Sequence, residues 1–213
     1  MVRKIVEQVP EEMLQQDLEK YRQKAIELGA TDAKVITSNM VLIDERVRAK
    51  CIIPLCSGYG ECATCPPYAI DLDLMRRVVK NFNYAIFYML QLSPQEVGGP
   101  DYRAKNMGVS STMTNYKIAA TLESEAFYNG YYLAMSFVSG RCKMYLCPNE
   151  ECSALVPGQS CRHPGAARYS MEAAGMNAYL MAAKVGWDIY PVGGSIPISE
   201  LPHGTKLGLA LIY

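Results

Sequence analysis

The sequence predicts an α/β fold in which a mixed β-sheet packs with helices and cysteine-rich loops hold two metal clusters. Three observations point there. Helical patterns and short β-branched or aromatic runs occur together without strict alternation, which favours a mixed sheet over a fully parallel one. All eight cysteines fall into two compact groups on backbone rich in Pro and Gly. The 213 residues, 50% hydrophobic and 20% charged, suffice to bury a core, and residues 1–213 read as a single metal-binding domain.

Taken in order, "PEEMLQQDLEKYRQKAIELG" (10–29) predicts a helix with an acidic first turn, an apolar stripe of Leu14, Leu18, Tyr21, Ala25 and Leu28, and a stop at Gly29. "AKVITSN" and "MVLIDERVR" read as two short strands turning at Ser38-Asn39 and running into the first cysteine group. "DLDLMRRVVKNF" is a helix capped by Asp71 or Asp73, and "YAIFYMLQL" a buried strand. Ser93 to Ser111, with Pro94, Gly98, Gly99 and Pro100, is a loop long enough to serve as a lid. Thr112 to about Val138 fits a long helix whose tyrosine-rich end is equally compatible with a strand. "SMEAAGMNAYLMAAKVGW" reads as a helix capped by Ser170 and bent near Gly175, and the C-terminal residues as strand, turn and a closing strand over Lys206–Tyr213.

Lys plus Arg and Asp plus Glu both number 21, so no large field draws the protein to nucleic acid or to an anionic membrane. The N-terminal residues lack the apolar core of a secretory signal, and no stretch is apolar enough to span a bilayer. A cytoplasmic, reducing location is therefore expected, where clustered cysteines more often bind metal than form disulfides.

The first group, Cys51, Cys56, Cys62 and Cys65, is a C-x4-C-x5-C-x2-C run. The second, Cys142, Cys147, Cys152 and Cys161, is a C-x4-C-x4-C-x8-C run. Two sites of four thiolates would use every cysteine. A structural zinc site is usually made by two tight C-x2-C knuckles, and only Cys62 and Cys65 match one. The wider spacings suit a bulkier core, and the "CPP" after Cys65 and "CP" at Cys147 resemble the C-P of bacterial ferredoxins. Two [4Fe–4S] clusters are expected, with zinc as the alternative cofactor.

Arg48, Lys50, Arg141, Lys143, Arg162 and Arg168 lie near cysteines in sequence, where they either offset thiolate charge or are simply solvated. His163, beside Cys161, is a candidate sulfur hydrogen-bond partner or proton carrier, or an ordinary surface histidine; His203 reads as a turn residue. Tyr59, in "SGYG", is placed to pack on the first site. Glu61, Glu150 and Glu151 adjoin cysteines but are more simply solvated. There is no P-loop, no Gly-rich dinucleotide motif and no Ser-His-Asp order.

The segments "KCIIPLCSGYGECATCPP" and "GRCKMYLC" with "CRHPGAARYSMEAAGM" resemble a family of small cysteine-rich predicted metal-binding proteins, a domain of unknown function found largely in anaerobic bacteria and archaea. The resemblance implies metal or iron–sulfur binding and supplies no reaction. Cys51, Cys56 and Cys65 sit on its pattern, whereas Cys62 does not. If Cys62 ligates, both clusters are closed and electron transfer is the simpler function. If it does not, the first cluster keeps an iron open to a small-molecule substrate, as an iron–sulfur oxidoreductase would need. The expected partner is accordingly a redox protein or a small substrate, with a homodimer plausible on symmetry grounds.

Overall fold

A computed structural model describes residues 2–99 and 107–213. Its elements are α1 (Glu11–Glu27), β1 (Asp32–Thr37), α2 (Glu45–Ala49), α3 (Leu72–Lys80), β2 (Tyr84–Leu92), α4 (Val109–Tyr128), β3 (Met135–Val138), α5 (Cys142–Leu146), β4 (Tyr169–Ser170), α6 (Ala178–Lys184) and β5 (Gly204–Leu211). The five strands form one mixed sheet in the order β1-β2-β5-β3-β4, antiparallel except for the β3–β4 pair. The α/β fold with a mixed sheet is as the sequence predicts.

Both faces of the sheet are covered, and the period of two along β2 shows how. Ala85 and Phe87 point to one side, where Met75 and Val79 of α3, Met181 of α6 and Trp187 pack. Ile86, Tyr88 and Leu90 point to the other, against Leu14, Leu18, Tyr21 and Ala25 of α1 and Ile118, Leu122 and Ala126 of α4. The α1 stripe is buried as its spacing requires, and the chain leaves this helix at Gly29 in the left-handed region, φ +113°. Asp71, rather than Asp73, caps α3, its carboxylate accepting from the Leu74 N–H at 2.9 Å.

Four local expectations are corrected. "MVLIDERVR" is not a strand: after an isolated bridge from Ile43 to Met176, Asp44 caps the short helix α2. The helix drawn to Val138 stops at Tyr128, and its tail becomes β3, the alternative its aromatic residues allowed. Ser170 ends β4 instead of capping a helix; a turn through Gly175 follows, and the Asn177 side chain caps α6. Residues 188–190 form no strand, so β5 alone closes the chain. In the predicted 93–111 loop, Pro94–Glu96 is a 3-10 turn and α4 already begins at Val109, while 100–106, the middle of the suggested lid, lie outside the described residues. Among the described residues no helix is long and apolar enough to cross a membrane.

Candidate metal centre

Helix α4 is the platform for the second cysteine run. Its Asn115 is fully buried, donating to the Leu207 carbonyl at 3.0 Å and accepting from the Ser139 N–H at 3.4 Å. Next to it, the Tyr116 hydroxyl donates to the Gly140 carbonyl at 3.0 Å. About two turns later, Glu123 accepts from the Ser136 N–H at 2.7 Å and the Ser136 hydroxyl at 2.8 Å, and pairs with both Nε (2.9 Å) and Nη2 (2.8 Å) of Arg168. Arg168 also donates to the carbonyls of Pro164 and Ala167. These bonds pin both ends of the run, at Ser139–Gly140 and at Pro164–Arg168. The guanidinium of Arg168 therefore anchors the loop, with its donors directed to Glu123, Ser136 and backbone oxygens.

The two runs, distant in sequence, meet in space. Cys62 is fully buried, and Cys65 and Cys142 are buried beside it with Tyr116, Ala119 and Val138. The Thr64 hydroxyl lies 3.4 Å from Cys62 Sγ and 3.1 Å from Cys142 Sγ, so it joins the runs through one oxygen. Arg141 donates to Ser57 Oγ at 3.2 Å and covers Gly58, and Lys143 stands 3.8 Å from Glu61. Gly58 lets the Arg141 side chain lie close over the backbone: a Cβ would stand 2.9 Å from Arg141 Cδ and 3.5 Å from Cys65 Sγ, so Arg141 would have to shift.

Hydrogen bonds from Cys142, Cys65 and Thr64 hold the Cys62 thiol well below its ordinary pKa. Cys65 and Cys142 are pushed up, first by their bonds to Cys62 and then by burial. Burial raises the Tyr116 phenol as well, with the nearby sulfurs adding to it.

Cys51 is half-buried and Cys56 exposed, the latter accepting from the Gly58 N–H at 3.4 Å. Burial raises Cys51, with Cys56 adding to this and Arg48 opposing it. Arg48 donates to the Ile70 carbonyl at 2.7 Å, yet its Nε is buried with no hydrogen-bond partner. Around this turn Ile52, Ile53 and Leu55 are exposed, Ile53 to 80%. Tyr59, half-buried, gives its backbone N–H to the Cys56 carbonyl at 2.9 Å.

A cavity of about 350 Å³ opens between the second run and the sheet, lined by Cys142, Cys152, Cys161, Thr64, Arg168 and Tyr169 among others. Cys147, partly buried, is not among its lining residues. His163 serves Cys161 through its backbone N–H, 3.3 Å from Sγ. Arg162 ties the Cys161 segment to that of Cys152, pairing with Glu150 at 3.0 Å and donating to the Glu151 carbonyl at 2.7 Å.

All eight cysteines are free thiols. Among the described residues no three His, Cys, Asp or Glu side chains stand at the spacing of a single-ion cage. The gathered donors are sulfurs, which select soft metals and iron–sulfur cores over hard cations. The orphaned Arg48 Nε and the N–H groups aimed at Cys56 and Cys161 are the kind of donors that thiolates and inorganic sulfide accept from. The residues fit such a group. Spacing alone did not reveal Thr64, Asn115, Tyr116 or Glu123. The only sequence signal was polar residues interrupting the apolar pattern of α4, and a hydroxyl set between Cys62 and Cys65.

A family model described as "Predicted metal-binding protein (DUF2284)" matches residues 34–199. No curated protein and no solved structure matches the chain.

Proposed function

The chain belongs to this family of predicted metal-binding proteins, and from that premise we propose that it binds two [4Fe–4S] clusters through cysteine thiolates and transfers electrons between them and a redox partner protein. The observation that carries the reading is the junction of the two cysteine runs at Cys62, Thr64 and Cys142, where a single hydroxyl reaches sulfurs of both. Cys65 of the first run lies in the same buried cluster as Cys142 of the second, so sites built on the two runs are separated by a short gap, which suits an electron relay better than two independent structural ions.

When bound, the clusters would supply one-electron chemistry at potentials set by charge, hydrogen bonds to sulfur and exposure. The chain's own residues supply those controls. Arg48, Arg141 and Lys143 bring positive charge to the first run and its junction, and the N–H groups of Gly58 and His163 donate to Cys56 and Cys161. Thr64 donates to one of the two sulfurs that flank it. Electron exchange with the partner is assigned to the Cys51–Cys56 turn, because Cys56 is the exposed cysteine and Ile52, Ile53 and Leu55 give it an apolar rim.

The test is iron and acid-labile sulfide analysis of protein purified without oxygen, with absorption spectra before and after dithionite. The expected preparation is brown, bleaches on reduction and holds about eight irons and about eight sulfides per chain. A colourless protein with bound zinc and no labile sulfide overturns the proposal.

A further inference from the structure

We propose that Cys62 is a ligand of the second site, together with Cys142, Cys152 and Cys161, and that Cys147 is not. The inference rests on the reading that the thiols form two metal sites, and it changes which thiols form which. Sequence order would assign Cys62 to the run that contains Cys51, Cys56 and Cys65. The structure separates it from the exposed end of that run. Cys62 is fully buried, packs in one cluster with Cys65 and Cys142, and its Sγ lies 3.4 Å from the Thr64 hydroxyl.

The cavity supplies the complementary half of the argument. Cys142, Cys152 and Cys161 line one space, which is one thiolate short of a four-sulfur site; neither Cys62 nor Cys147 is on its wall, but Cys62 shares a buried cluster with Cys142, against which Cys152 packs, and Cys147 is not in that cluster. From the first run, Ala63 and Thr64 do reach that wall. The Thr64 hydroxyl, 3.1 Å from Cys142 Sγ, holds the Cys62 segment against it, and the Lys143–Glu61 and Arg141–Ser57 contacts close the same seam from outside. Crossed ligation also leaves Cys51, Cys56 and Cys65 as a three-thiolate set beside Arg48, whose buried Nε has no partner. The second site would then staple together two segments distant in sequence, as a structural metal does when binding is coupled to folding.

The probes are cobalt(II) and cadmium(II), added to anaerobic apoprotein. In cobalt titrations followed by sulfur-to-metal charge-transfer absorption, Cys62→Ser is expected to lose the same site as Cys142→Ser. The double variant should lose no more than either single one, and Cys147→Ser should titrate like the unsubstituted chain. If Cys147→Ser loses what Cys142→Ser loses, the assignment is wrong whatever Cys62→Ser does; if Cys62→Ser titrates normally, it is wrong as well.

A heteronuclear cadmium–proton correlation on the unsubstituted chain needs no variant to fold. Cys62 and Cys142 β-protons are expected on one cadmium, without Cys147. Finding Cys62 on the cadmium of Cys51, Cys147 on that of Cys142, or no cadmium uptake at all overturns the proposal. Absence of labile sulfide in the anaerobic preparation removes the iron–sulfur reading alone. The ligand assignment stands or falls by the cadmium and cobalt results.

Discussion

The sheet with its flanking helices and the cysteine loops are held in place by different physics, although they touch along α4. On the sheet side, β2 lies between two antiparallel partners with Phe87 and Tyr88 fully buried on opposite faces, and α1 and α4 run for 17 and 20 residues. Area removed from water stabilises this half without any ligand. In the cysteine loops the regular elements are α2 and α5, five residues each, too short to persist alone. Their apolar burial is a small cluster around Cys62, Cys65 and Cys142, and several of their large side chains face water. What remains is hydrogen bonds to backbone and the demands of the thiols. The contrast predicts that the sheet side folds without a ligand, whereas the cysteine loops depend on what the sulfurs hold.

The largest effect that tests this contrast is in the sheet. Phe87 is fully buried and stacks on Trp187 with ring centroids 4.9 Å apart. Phe87→Ala should lower the unfolding free energy by about 3–5 kcal/mol, measured by urea titration. Metal content per folded chain should not change, because none of the ligands packs on that ring. A loss below about 1 kcal/mol would break the comparison, since the sheet would then not be the independently stable half.

Metal removal should act on the opposite half. After chelation, amide exchange is expected to accelerate at least about tenfold across residues 51–70 and 141–168, each tenfold corresponding to about 1.4 kcal/mol of local opening. The amides that pair β2 with β5 should keep their protection. Equal acceleration in both regions would show that the sheet depends on the thiol sites after all.

The same division explains what could be read from the sequence. Elements whose burial follows a period were legible: the stripe of Leu14, Leu18, Tyr21 and Ala25, and the strand "YAIFYMLQL", which spans Tyr84–Leu92 as drawn. Elements set by long-range partners were not. Ile43 pairs with Met176, and the Asn177 N–H donates to the Leu42 carbonyl, so the end of "MVLIDERVR" was free to form α2 behind the Asp44 cap. At the site, the eight sulfurs were visible as a composition. Their meeting at Thr64 was not, because spacing along the chain carries no information about which loop α4 brings opposite another. Arg168 shows the limit from the other side: a cation close to a cysteine in sequence points instead to Glu123.

The smallest predicted effect belongs to a charge on the sheet side. Lys206 of β5, opposite Leu90 of β2, sends its ammonium inward, where it donates to the Gly108 carbonyl and, at 2.7 Å, to Ser111 Oγ. Burial lowers its pKa to about 8, with Glu96 opposing the shift. In the unfolded chain the same group titrates near about 10.4. Between these values the unfolded state binds more protons, so stability should rise as pH increases from about 8 towards about 10, by about 1 kcal/mol or less after solvent screening. Above that range the buried phenols of Tyr21 and Tyr88, whose pKa values burial raises, act in the opposite direction, because the unfolded chain then loses protons first. Lys206→Met should flatten the rise in urea midpoints between pH 8 and pH 9.5. An unaltered rise in that variant would show that Lys206 is not its source, and it could not be transferred to Cys51, Cys65 or Cys142, whose raised pKa values make stability fall with pH as the phenols do.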